Sequence, residues 1–317
     1  MNTFLGLCCA ACVGVFDPTA AIDPGLRGEL LIANSFTART ADVVGDQPVD
    51  GFWLDEGRIA LSGGVGDRFA AYAGVAADNN GLATWEAYGD LKAFNGLAVR
   101  GGRWITQLGA VSGRRTEGRC FADVPLHTER FLGRRGLYDA GLQISYTVPL
   151  KSFPILLSVS AMSGQEGLSF QQPAESGDGA AMLERLLYIV RLAIAPGALF
   201  NQHLTAGFTF ASGQNDTGPG NRTDLIGFDV SGAFDLGGGV ALGADLEFLM
   251  RRYGVPFALL VEGGMSLDLV AGWKGLHGGV RLDLMGVPLP PTREELEWRV
   301  SVAAGYDVWK NARFRFQ

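Results

Sequence analysis

No apolar run in this 317-residue chain is long enough to cross a bilayer as a helix, which takes roughly 18 uninterrupted apolar residues. Charge is scarce. Asp, Glu, Lys and Arg together make up 19% of the chain, below the globular norm of about 25%. The balance is acidic, at -7, and no basic patch interleaves with aromatics, so nucleic acid is not an expected partner. Histidine occurs only as His127, His203 and His277, and cysteine only as Cys8, Cys9, Cys12 and Cys120. No Cys/His spacing suits zinc, so neither a metal site nor a cofactor is expected. A Ser–His hydrolase pair would have to draw on His203 with Thr205 or Ser212 nearby. A polar histidine on an inner face is the simpler reading, and no enzyme is expected. Gly237-Gly238-Gly239 lacks a following Lys-Ser/Thr and helix, so it reads as a turn and not a phosphate loop.

Glycine is abundant instead, at 46 residues, roughly twice ordinary usage. The glycines lie inside apolar stretches that alternate with period two. From Tyr138 the apolar series is Tyr138, Ala140, Leu142, Ile144, Tyr146 and Val148. Asp139, Gly141, Gln143, Ser145 and Thr147 interleave with it. Successive strand side chains point to opposite faces, so one face is apolar and the other small or polar. Residues 204–210, 225–236, 240–251, 257–269, 276–284 and 297–307 repeat the pattern. Runs of about 10 to 14 residues exceed a soluble strand and match tilted membrane-spanning strands. A lightly charged, glycine-rich inner face suits a crowded lumen better than a solvated sheet. The expected fold is all-β: a single transmembrane antiparallel β-barrel of about 14–16 strands, in the bacterial (Gram-negative) outer membrane.

Short connections are expected at Gly66-Asp67, Asn95-Gly96, Lys151-Ser152, Gly237-Gly238-Gly239 and Lys310-Asn311. Longer ones run over 109–136, 165–182, 213–222 and 287–295. The first barrel strand is expected near 25–37 and the last near 312–316. Residues 4–16, followed by Ala20 and Ala21, have the length of an export signal's apolar core, although a basic residue at the start is missing. Residues 1–21 therefore read as a signal peptide and 22–317 as one barrel domain. The tryptophans Trp53, Trp85, Trp104, Trp273, Trp298 and Trp309 fall toward strand ends, where an interfacial girdle and ordinary packing are both open.

The stretch 102–149 carries Gly102-Arg103-Trp104, Gly109, Phe121-Ala122-Asp123-Val124-Pro125, Phe131-Leu132-Gly133, Gly136-Leu137, Gly141, Ser145 and Pro149. It resembles the phosphate-selective porin-like family of outer-membrane barrels (porin O/P-like), including zinc-regulated outer-membrane receptor relatives. Those relatives place a histidine before the F-x-D motif. Here arginines and Cys120 stand there, and His127 follows it. The resemblance implies outer-membrane lipid and lipopolysaccharide, the barrel-assembly machinery and small hydrophilic solutes as partners, with a homotrimer as one assembly.

Within 109–136, Arg114, Arg115, Arg119, Arg130, Arg134 and Arg135 face Glu117, Asp123 and Glu129, six minus three giving a local +3. Such a loop either folds into the lumen and favours anions at a pore constriction, or stays outside and meets lipopolysaccharide phosphates. The inward series carries the opposite sign. Asp245, Glu247, Glu262 and Asp268, with Asp229, Asp235, Asp283, Glu297 and Asp307, outnumber Arg251, Arg281 and Arg299. They form either a cation-attracting wall or a set of cross-strand ion pairs. The expected function is a porin-like channel for passive diffusion of small hydrophilic solutes or ions, anions among them. A non-conducting structural or adhesive barrel is the alternative.

Overall fold

The computed structural model describes residues 6–12, 26–39, 51–78, 81–114, 119–121, 123–150, 153–165, 167–170, 185–195, 203–218, 220–286, 296–309 and 312–316. Of these, 6–12, 26–39, 51–56, 78, 81–84, 203, 307–309 and 312–316 are described by backbone alone. Lys151-Ser152, Lys310-Asn311, 287–295, most of 165–182 and the remainder of 1–21 lie outside the described residues, as does Arg115.

Sixteen antiparallel strands form one closed barrel, each bonded to its neighbours in sequence. They are β1 (Gly6–Cys12), β2 (Leu26–Arg39), β3 (Gly51–Val65), β4 (Phe69–Asp78), β5 (Gly81–Phe94), β6 (Leu97–Ile105), β7 (Tyr138–Val148) and β8 (Ile155–Met162). The circuit continues through β9 (Leu187–Ile194), β10 (His203–Gln214), β11 (Arg222–Gly237), β12 (Val240–Val255), β13 (Ala258–Trp273), β14 (Leu276–Met285), β15 (Glu297–Trp309) and β16 (Ala312–Phe316). Closure matters energetically. Hydrocarbon cannot satisfy backbone N–H and C=O groups, so an open edge inside a bilayer would cost several kcal/mol per group.

Period-two alternation sets the two faces. Leu142, Ile144, Val159, Leu192, Phe228 and Val230 stand exposed on the outside. Ser158, Ser160, Thr209, Asp229, Glu247 and Ser266 are buried on the inside. Strands β11, β12 and β13 reach 16 residues each, more than the roughly 9–11 that span a membrane, so they stand clear of it. Register follows the pattern: Phe228 opposes Phe248 and Val230 opposes Leu246 across β11 and β12. A one-residue slip would turn every apolar side chain into the lumen.

Tight turns at 66–68, 95–96, 238–239 and 274–275 close one end. The connections spanning 106–137, 163–186, 215–221 and 286–296 all lie at the other. The four long connections expected from sequence therefore lie together, but the sorting is not strict: two-residue connections join β4 to β5 and β12 to β13 at that end, while 13–25 joins β1 to β2 and 195–202 joins β9 to β10 at the other. The tryptophans divide. Trp273 and Trp298 face outward at opposite ends, with Phe69, Phe94 and Tyr306 near the turns, as interfacial aromatics do. Trp85 and Trp104 are instead buried inside the barrel, so the girdle reading is corrected for these two. The side chains of Trp53 and Trp309 are outside the described residues.

Gly6–Cys12, read from sequence as part of a signal peptide, stands as β1 between β2 and β16. Because β2 and β16 both start from the short-turn end, removing β1 would bring parallel neighbours together. Export leader and closing strand are alternative uses of the same residues. The intact mass of the membrane-inserted chain distinguishes them: retention of Met1 to Ala21 is expected if β1 is part of the wall, and its loss if cleavage occurs.

Candidate functional site in the barrel lumen

The 106–137 connection folds into the barrel. It carries α1 (Leu126–Leu132), packed against β12, β13 and β14, across the lumen from the strands it joins. An apolar set holds it. Leu108, Phe131, Leu132 and Leu137 from the connection meet Met162, Leu187, Ile189, Ala211, Leu225, Leu249 and Met285 of the wall. Phe170 joins them from the β8–β9 connection. Burial of such side chains stabilises by about 1.5–3 kcal/mol each.

Glu247 on β12 is the centre of the polar attachment, and it is fully buried with its partner His127. One carboxylate oxygen accepts hydrogen bonds from the backbone N–H groups of Val111 (2.7 Å) and Ser112 (3.0 Å). The other lies 3.0 Å from His127 Nε2. A carboxylate accepts here, so the hydrogen belongs to the imidazole. Both limbs of the connection thus converge on one side chain. Two glycines make the approach possible. A Cβ on Gly109 would overlap the Glu247 carboxylate, and one on Gly264 of β13 would come within 2.6 Å of His127 Cβ. Gly264→Val is therefore expected to push α1 off the wall and to destabilise the barrel by about 1–3 kcal/mol, read as a lower thermal midpoint of the gel-resolved folded band.

Arginines complete the clamp. Arg114 donates to both oxygens of Asp245 (2.6 and 2.7 Å) and to Ser231 Oγ. Burial alone would lower the pKa of Arg114, but the hydrogen bonds and charge of Asp245 raise it above the ordinary value. Arg281 binds Asp268 through two hydrogen bonds and donates to the carbonyl of Asp123, with Phe121 under its guanidinium. Arg299 joins Asp283, Glu129 and the carbonyl of Val124. Arg251 bridges Glu262 and Ser169 and lies over Phe131. Arg130 reaches Glu297.

Arg114 with Asp245, Arg130 with Glu297, and Glu247 with Val111, Ser112 and His127 thus join the connection to the wall directly, while Glu262 and Asp268 hold the wall arginines Arg251 and Arg281, which reach Ser169 and the carbonyl of Asp123. Arg119 is buried, which lowers its pKa to about 10; Tyr138 pulls it up and Arg281 and Arg58 press it further down. Arg134 is exposed and bonds Glu129 of its own connection. Arg135 lies over Trp85, which Arg58 also covers at 3.7 Å. Of the acidic side chains seen in sequence, Asp245, Glu262, Asp268, Asp283 and Glu297 meet arginines and Asp229 pairs with Arg191, whereas Asp235 accepts from the backbone N–H of Gly237. Asp139 was missed. It accepts from Gly164 N (2.7 Å) and Ser163 Oγ, tying the second connection to the root of the first. Among the described residues there is no cluster of ligating side chains for a metal.

No protein-family model and no curated protein matches the chain. Solved structures do. The anion-selective porin from Comamonas acidovorans superposes with a TM-score of 0.55 at 11% identity, covering 99% of this chain and 87% of that one. The outer membrane channel DcaP of Acinetobacter baumannii gives 0.54 at 12%, covering 99% and 94%. The outer-membrane expressed OmpT of Vibrio cholerae gives 0.52 at 14%, covering 82% and 77%. These likenesses speak for the barrel and not for the narrower family that residues 102–149 resemble. The chain has the fold of the bacterial outer-membrane porins.

Proposed function

We propose that the protein is a bacterial outer-membrane channel for passive diffusion of small hydrophilic solutes, narrowed by its own 106–137 connection. One observation carries the reading: a connection folded inside a closed barrel and fastened to the far wall through Glu247, Asp245, Arg281 and Arg299. Fixed charges and fixed width at one level of a lumen are what sieve solutes. The chemistry asked of the chain is positional, with no bond made or broken, so no enzyme activity is assigned. Lipopolysaccharide contact, delivery by the barrel-assembly machinery and a homotrimer belong to the same proposal.

A preference for anions rests on Arg114, whose side chain stays 37% exposed while it binds Asp245. Arg114→Ala leaves Asp245 without its cation, so the reversal potential in a salt gradient is expected to move toward cation preference. An unchanged reversal potential in Arg114→Ala combined with Arg115→Ala would remove the connection from ion selection. The packed apolar set of Leu108, Phe131, Leu249 and Met285 favours a second reading, a structural barrel that conducts nothing. Swelling of protein-loaded liposomes in isotonic sugars separates the two, because only an open lumen admits solute.

A further inference from the structure

We infer that the inner wall of β4, β5 and β6 carries a binding track for neutral saccharides, set between the constriction and the short-turn mouth. The inference rests on the channel reading above. Tyr72 and Tyr88 oppose each other across β4 and β5, and their rings stack with centroids 5.5 Å apart and planes 17° from parallel. The guanidinium of Arg100 lies over Tyr88 at 4.4 Å and within 5.9 Å of Trp104. One step nearer the mouth, Asp90 opposes Arg100, which in turn opposes Gln143 on β7. Arg100 holds both oxygens of Asp90, at 2.7 and 2.9 Å, and Gln143 donates to Ser160.

Two rows therefore run side by side around the wall, one of planar rings and one of paired polar groups. They are separated by two residues, roughly 7 Å along a strand. A pyranose spans that spacing. Its C–H face suits phenol rings and its hydroxyls suit a carboxylate, a guanidinium and an amide. The charge of Arg100 is already matched by Asp90, so the track asks for a neutral ligand. The pair nevertheless stays wet, at 31% and 30% exposure, and so keeps donors and acceptors available to the lumen. Planar side chains ordered against each other also lose little freedom when a ligand arrives.

Single channels in planar bilayers with maltotriose as the probe test the track. The intact protein is expected to show current interruptions that grow with maltotriose concentration. Tyr72→Ala and Tyr88→Ala should each shorten them about three- to tenfold, the loss of one aromatic contact, while Tyr88→Phe keeps most of their duration. Heat-modifiable gel migration establishes that the variants fold. Open channels that maltotriose does not interrupt, interruptions in both alanine variants as long as in the intact protein, or interruption by benzoate in place of maltotriose would each overturn the track alone. A folded barrel that never conducts would overturn the channel reading, and the track with it.

Discussion

Glu247→Ala is expected to free the 106–137 connection, raising single-channel conductance and adding current noise while leaving the barrel closed. The substitution removes the acceptor of two backbone N–H groups and of His127 in one step. Val111 N, Ser112 N and His127 Nε2 would stay buried without their partner, and each unsatisfied buried donor costs about 1–3 kcal/mol. The quickest relief is for the connection to leave the wall and hydrate. Glu247→Gln separates shape from charge: it retains one carbonyl acceptor at nearly the same volume, so its conductance should lie between those of the wild type and the alanine variant. Equal conductance in all three proteins would place the resistance of the channel elsewhere. A connection held at several points resists single losses, so Arg114→Ala, which removes one half-exposed pair, should loosen it less than Glu247→Ala.

Val230→Arg should prevent or slow insertion, at a cost of about 2–4 kcal/mol for a cation at mid-membrane depth. Val230 lies near the middle of β11, is 42% exposed and opposes Leu246 on β12. Its surroundings on the outer face are apolar, and an arginine there has no wall carboxylate to meet. Gln143→Arg, on the inner face of β7, places the same side chain toward water and the Asp90–Arg100 pair. It is expected to fold normally and to alter selectivity only. Refolding yield into lipid vesicles, read by heat-modifiable gel migration, checks both. Equal yields would mean that the outer face does not meet hydrocarbon.

The barrel was legible because strand geometry is a local property. Side chains two residues apart share a face whatever the rest of the chain does, so 138–148, 240–251 and 276–284 announced β7, β12 and β14 without tertiary information. The glycine-rich inner face also pointed the right way: Gly264 is there because α1 comes too close for a Cβ. What the connection does inside the barrel was not legible. Val111 and Glu247 stand 136 positions apart and His127 and Glu247 stand 120 apart, and no local pattern joins them. A signal did exist in Ile189, Leu225 and Leu249. These apolar residues lie on an otherwise polar face, where a lumen filled only with water gives them no reason to be, and the connection covers them.

Charge signs were legible and their partners were not. A basic connection and an acidic wall looked like opposed ion preferences, but Arg114 meets Asp245 and Arg130 meets Glu297. Much of the apparent conflict is one attachment. The tryptophans show the same limit. A tryptophan near a strand end is equally compatible with a headgroup and with the root of an inward connection, and Trp85 and Trp104 took the second place. The stacking of Tyr72 on Tyr88 depends on how β4 is registered against β5, which the alternation within either strand does not carry.

Recording single-channel currents from the purified protein, with Glu247→Ala alongside, tests the central claim most directly. A loop-narrowed channel predicts discrete, ohmic steps that are small in the wild type and larger in the variant. Persistent silence of both proteins in bilayers, with the barrels verified as folded, would contradict it.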